Sequence, residues 1–126
     1  VKPVVYLYKS KTGAFNSEDH HLVQDLWKKV IENVLKQNLN TIVLDGSSFQ
    51  EKEPFVVHSL AHLIVEDLRQ YNLTLHLINI EPGLAEKFKT LLRTRYRDVN
   101  FTVNQLEAGD YIVAGTDEPD LHHSSS

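Results

Sequence analysis

The stretch Thr41-Ile42-Val43-Leu44-Asp45-Gly46-Ser47-Ser48-Phe49-Gln50-Glu51-Lys52-Glu53-Pro54 decides the fold. A short apolar run of the buried-strand type ends in an acid and a glycine. A polar loop follows, and Pro54 suits the first turn of an amphipathic helix. In open α/β sheets, the loop at the carboxyl end of a strand is where ligands and partners bind. Here that loop carries Gln50, Glu51, Lys52 and Glu53, a solvated run with no catalytic pair in it. It reads as a contact surface rather than an active site.

Working outward, residues 4–9 are β-branched and aromatic and read as a strand. Thr12-Gly13 marks a turn and Ala14-Phe15 a brief strand or lead-in. Asn16 or Ser17 can cap a helix, with Glu18 and Asp19 favourable in its first turn. Val23, Leu26, Val30 and Val34 then recur at helical spacing, flanked by Leu22, Trp27, Ile31 and Leu35, until Asn38-Leu39-Asn40 ends the helix. The helix from Pro54 has the apolar stripe Val57, Leu60, Ala61, Ile64 and Leu68, and closes at Tyr71-Asn72. Residues 73–80 form the next strand. Glu81-Pro82-Gly83 opens a helix carrying Leu84, Ala85, Phe88, Leu91 and Leu92, and residues 99–103 form a further strand. Asn104 with Glu107 resembles a capping box, which predicts a short helix over 105–113, although Gly109 weakens it. The alternation of strand and helix, with short linkers and right-handed crossovers, predicts an α/β fold. Its sheet is mixed but parallel at its centre, flanked by about four helices.

A chain of 126 residues with 41% apolar and 24% charged residues suffices for one domain with a single core, here residues 1–115. Residues 116–126 read as an acidic and polar disordered tail. A net charge of −4 gives no global attraction to nucleic acid, and none is expected as a partner. The chain has no cysteine, hence no disulfide framework and no thiol chemistry. No apolar run reaches the ~20 residues that span a bilayer. The chain begins at Val1 and contains no methionine, which reads as a piece of a longer protein or a processed product. Asn72-Leu73-Thr74 and Asn100-Phe101-Thr102 match the glycosylation sequon, a triplet common by chance.

Chemistry-bearing clusters are sparse. His58, His62 and Glu66 stand one helical turn apart, a spacing that can hold a metal, but Ser59 replaces the glutamate of the His-Glu-x-x-His signature. Half-buried histidines bordering an apolar stripe are the commoner reading, and no metal is expected. His20 and His21 fall in a first helical turn, where the helix dipole disfavours a charged imidazole. His76 sits mid-strand and points to one sheet face. No glycine-rich phosphate loop is present, so no cofactor is expected, and no catalytic residue is assigned. Lys87, Lys89, Arg93, Arg95 and Arg97 concentrate positive charge on and after the third helix. They read either as a solvated face or as a docking patch for an acidic partner segment or anionic lipid headgroups. Asp117, Glu118 and Asp120 of the tail carry the opposite charge and could compete for that patch.

Several of these segments together resemble a known module. They are the apolar strand ending in Asp45, Phe49, the helix from Pro54, the strand to Ile80, and Asn104-Gln105-Leu106-Glu107-Ala108. In that order they resemble the middle and close of a STAS domain, the module shared by sulfate transporters and anti-sigma factor antagonists. Lys2-Pro3-Val4-Val5-Tyr6-Leu7-Tyr8, then Ala14-Phe15-Asn16 and an acidic helix start, is similar to the beginning of this domain in sulfate permease and prestin-like anion transporters. The likeness covers residues 2–113. Bacterial antagonists carry a phosphorylated serine at a place that falls here on Lys52 or Glu53, neither of which can be phosphorylated as a serine switch. The resemblance therefore implies a non-catalytic domain at the cytoplasmic face of a membrane, belonging to a transporter of sulfate-, chloride- or bicarbonate-class anions. Its implied partners are the membrane core of the same transporter, a second copy in a homodimer, and regulatory proteins. The implied contact residues are Gly46, Ser47, Ser48, Glu51, Lys52 and Glu53, together with the basic set on the third helix. The alternative it leaves is a free-standing regulator of the antagonist type without the phosphorylatable serine.

Overall fold

The computed structural model describes residues 2–9, 20–47 and 54–116. Their order is β1 (Val4–Lys9), α1 (His20–Lys36), β2 (Thr41–Asp45), α2 (Pro54–Tyr71), β3 (Thr74–Ile78), α3 (Pro82–Thr94), β4 (Asn100–Val103) and β5 (Ile112–Thr116), with a single 3-10 turn at Ala108–Asp110 before β5. The brief strand expected at Ala14-Phe15 and the cap at Asn16 or Ser17 lie outside the described residues.

The strands form one sheet in the order β4-β3-β2-β1-β5. Every pairing among them is parallel. The chain steps from β1 to β2, β3 and β4 in a single direction. Right-handed crossovers repeated in one direction put every connecting helix on the same sheet face. That face holds the main core. Tyr6, Tyr8, Ile42, Leu44, Leu75, Leu77, Phe101 and Val103 project from the strands into one cluster with Trp27, Val30, Val34, Ile64, Leu68, Phe88 and their neighbours from α1, α2 and α3. The opposite face carries Val5, Val43 and Ile78. It meets the return connection instead, because the chain must travel from β4 at one edge to β5 at the other. Leu106 and Tyr111 of that connection pack on Val5, Val43 and Ile78.

The helices stop where a left-handed residue is tolerated. Asn38 (φ 57°) and Asn72 (φ 54°) end α1 and α2. Asparagine is among the few side chains that adopt this region readily. Beyond each, a leucine folds back: the Leu39 N–H donates to the Val34 carbonyl and the Leu73 N–H to the Leu68 carbonyl, both at 3.0 Å. Leu73 is buried and Leu39 packs against the core. One Asn-Leu pair thus ends a helix, anchors the turn and aims the chain into the next strand.

The structure corrects the last element. The helix expected over 105–113 is one 3-10 turn followed by β5. The Asn104 side chain does not cap it. A capping box forms three residues later, between Glu107 and Asp110, and closes only that turn. Gly109 is a poor helix former, and the β-branched Ile112-Val113 pair finds the free edge of β1 beside it. The Ile112 N–H donates to the Pro3 carbonyl at 2.9 Å, and Val4 and Val5 pair with Ile112 and Val113. The described residues therefore hold three α-helices on one face of an all-parallel sheet, still an α/β fold.

One polar tie crosses the helical layer. The buried Trp27 of α1 donates its indole N–H to the Asp67 carboxylate of α2 at 2.8 Å. Hydrogen bonds to charged acceptors contribute about 1.5–3 kcal/mol. Asp67→Ala should therefore lower unfolding free energy by about 1–3 kcal/mol in urea titration followed by Trp27 fluorescence, whereas Glu66→Ala, one residue away on the exposed face, should change it by less than about 0.5 kcal/mol.

Candidate contact surfaces

Parallel strands give the molecule two unlike poles. At one, the strands end and the helices begin; at the other, the helices end and the strands begin. The first is the customary ligand pole of an open α/β sheet. Here it is tightly braced. The Gly46 N–H donates to the Ile78 carbonyl at 2.9 Å, extending the β2–β3 ladder by one residue. The Ser47 N–H donates to Asp45 Oδ1 at 2.9 Å, folding the loop over the buried acid. Asn79 (φ 58°) and Asn104 (φ 56°) stand directly after β3 and β4. Asn104 clamps Ile80 from both sides: its Oδ1 accepts the Ile80 N–H at 3.0 Å and its Nδ2 donates to the Ile80 carbonyl at 2.7 Å. Its own N–H donates to the Leu77 carbonyl at 2.8 Å. Sequence periodicity missed this clamp. The signal available was an asparagine just past the apolar runs of β3 and β4.

Of the expected loop contacts, Gly46 is buried and Ser47 exposed. Ser48, Glu51, Lys52 and Glu53 lie outside the described residues, as does Phe49.

The basic set is divided rather than gathered. On α3, Lys87 and Lys89 are about 200° apart around the helix axis. Both are half-buried, Lys89 sharing a helix face with the exposed Arg93 one turn on. Arg93 reaches Thr90 Oγ1 at 3.5 Å. Arg95 and Arg97 lie in the exposed turn between α3 and β4. The acid in this turn, Asp98, is engaged elsewhere. Arg69 of α2 donates to both its oxygens, at 2.9 and 2.8 Å, and also stands over the Tyr96 ring, 5.8 Å from its centre. These hydrogen bonds hold the Asp98 carboxyl below its ordinary range and the Arg69 guanidinium above its own. Arg93, Arg95 and Arg97 have no carboxylate partner among the described residues.

The tail acids Asp117, Glu118 and Asp120 lie outside the described residues. β5 and β4 are the two outer strands, about 19 Å apart, and Thr116 ends β5 at the pole opposite Arg97.

His62 Nε2 lies 3.8 Å from Glu66 Oε2, with side chains 66% and 61% exposed, so this pair occupies the solvent face of α2 rather than the border of the core. The side chain of His58 lies outside the described residues. Among the described residues no three of His, Cys, Asp or Glu come together as a metal site. His21 is exposed at the start of α1. His76 projects from β3 onto the face away from the helices, its Nδ1 2.7 Å from Thr102 Oγ1 of β4. Desolvation lowers its pKa. No described helix is long and apolar enough to cross a membrane.

The chain matches no protein-family model, no curated protein and no solved structure at a significant level.

Two outcomes follow from these contacts. Asn104→Ala loses both bonds to Ile80 and leaves at φ 56° a side chain without the polar group that makes asparagine tolerated there, so it should destabilise by more than about 2 kcal/mol; Asn104→Gly, free of the backbone penalty, should recover about 1 kcal/mol of that in urea unfolding. For His76, the folded pKa lies below the unfolded value, so the unfolded chain takes up the proton first. The neutral-state stability is present above the unfolded pKa of about 6.5 and is lost as pH falls through the lower folded value. The thermal midpoint should fall between pH 7.5 and 5.5, and His76→Gln should flatten that slope.

Proposed function

We propose that this chain is a non-catalytic STAS-type contact domain of a sulfate-permease-type anion transporter, acting at the cytoplasmic face of the membrane. Its work is assembly: it pairs with a second copy, docks on the membrane core of the same transporter, and offers surfaces to regulatory proteins that adjust anion transport. The observation that carries the reading is the run of strand–helix units from β1 to β4, stepping one way across a parallel sheet. Its central strand ends in Asp45 and its next helix opens at Pro54. This is the order on which most of the likeness, drawn over residues 2–113, rests. The closing segment 104–108 departs from it, since a turn and β5 stand where a helix was expected.

Residue chemistry supports a contact role. The strand-end pole is occupied by the chain's own polar groups, with Asp45 holding Ser47 and Asn104 holding Ile80. The loop that leaves this pole is rich in charge, and Lys52 or Glu53 stands where the regulator branch carries its serine. That substitution favours the transporter branch.

The test is to read the coding sequence upstream of the Val1 codon. A series of apolar segments of ~20 residues, ending shortly before Val1, is the expected result. A start codon immediately before Val1, with no such segments on either side of the domain, would overturn the assignment.

A further inference from the structure

The pole at which the helices end gathers six of the thirteen lysines and arginines of this acidic chain. Each helix has a basic residue in its last turn: Lys36 in α1, Arg69 in α2 and Arg93 in α3. Lys2 precedes β1, and Arg95 and Arg97 precede β4, so the parallel topology brings them to the same end. All are exposed. Against them stand Asp98, engaged by Arg69, and the capping pair Glu107 and Asp110 before β5, in which Asp110 accepts the Glu107 N–H at 3.0 Å. The other pole carries the buried Asp45, Glu81 and, at the end of β1, the exposed Lys9.

Cations near helix C-termini offset the helix dipoles, and this accounts for Lys36, Arg69 and Arg93. It does not account for Lys2 or Arg97, which lie outside any helix. We propose that this basic pole is a docking surface for an anionic lipid bilayer. The inference rests on charge and topology and is independent of the transporter reading.

Three features favour a bilayer over an acidic peptide. First, the charges are strung along the sheet, from Lys2 at β1 past Lys36 and Arg69 to Arg97 at β4, three strand spacings or about 14 Å away. A row across four of the five strands suits a plane; a peptide is gripped by a groove. Second, Tyr71, 39% exposed, closes α2 in the middle of this row, and aromatic rings of this kind settle at headgroup level. Third, the poles are about 16 Å apart along a five-residue strand. At 0.1 M salt the Debye length is about 10 Å, so a surface meeting this end feels the basic row and little of the acids at the far end. The net charge of −4 is then no obstacle, and long-range steering turns the basic end toward the membrane.

The experiment is flotation of the 126-residue chain with vesicles of phosphatidylcholine, with and without phosphatidylserine. Binding only to the phosphatidylserine vesicles, weakening as salt rises, is the expected result. Each basic residue near such a surface is worth roughly five-fold in partitioning. Arg93→Glu/Arg95→Glu/Arg97→Glu should therefore lower it by about a hundred-fold or more. Arg95→Gln/Arg97→Gln, which spares α3, should lower it by about 25-fold and covers the case in which the triple variant fails to fold. Lys28→Glu/Lys29→Glu, an exposed pair in the middle of α1, should stay within about two-fold of the parent. Absence of binding to phosphatidylserine vesicles would overturn the proposal, as would equal losses in the pole and mid-helix variants. Retention of a polyglutamate peptide without vesicle binding would also overturn it and assign the pole to an acidic protein segment.

Discussion

The structure depends on the burial of β2. All of Thr41, Ile42, Val43, Leu44 and Asp45 are buried, with β1 hydrogen-bonded along one side and β3 along the other. A strand with both edges paired must have both faces covered, because alternate side chains point each way. Ile42 and Leu44 meet the helical layer, and Val43 meets the return connection. Fully burying an aliphatic side chain of this size contributes roughly 1.5–3 kcal/mol, so neither face can be left open cheaply. Because the crossovers step in one direction, helices can cover only one side. The segment between β4 and β5 is thereby committed to the other, whatever its own propensity.

The same topology sorts the polar chemistry. At the pole where the strands end, backbone groups left over from the ladders are taken up by Asp45 and Asn104. Where the helices end, carbonyl dipoles and surplus arginines face each other across solvent. The bidentate pair of Arg69 and Asp98 ties α2 to the entry of β4, and in doing so removes the acid that would have offset Arg95 and Arg97. A single local contact thus has an electrostatic consequence for the whole end of the molecule.

Much of the architecture was legible from residue order. Val23, Val30 and Val34 of α1, Leu60, Ile64 and Leu68 of α2, and Leu84, Phe88 and Leu91 of α3 are buried as their spacing demands, although in α1 Leu26 is only partly buried and the flanking Trp27 is buried instead. Asn-Leu pairs mark the ends of α1 and α2, since few other residues combine a tolerated left-handed backbone with a side chain that folds back onto the core. The candidate sites were less legible. Charge runs such as residues 87–97 look like one patch when written in a line. A helix separates Lys87 from Lys89, while a turn carries Arg95 and Arg97 to its end. The His62 and Glu66 pair turned out to face solvent, because the apolar stripe of α2 is centred on Leu60, Ile64 and Leu68.

By itself the sequence determined the local states: which segments are strands, which are helices, and where most of them stop. Those depend on contacts within a few residues, such as periodicity, caps and left-handed asparagines. Only the tertiary structure decided the fate of residues 105–116 and the grouping of charges. Ile112 and Val113 become a strand because the edge of β1, more than a hundred residues earlier in the chain, is there to pair with them. Lys2, Lys36, Arg69 and Arg97 come to one end of the molecule only because all strands run the same way. Pairings over such separations are set by which edges and faces remain unfilled once the local elements pack, a property of the assembled sheet and not of any stretch of residues within it.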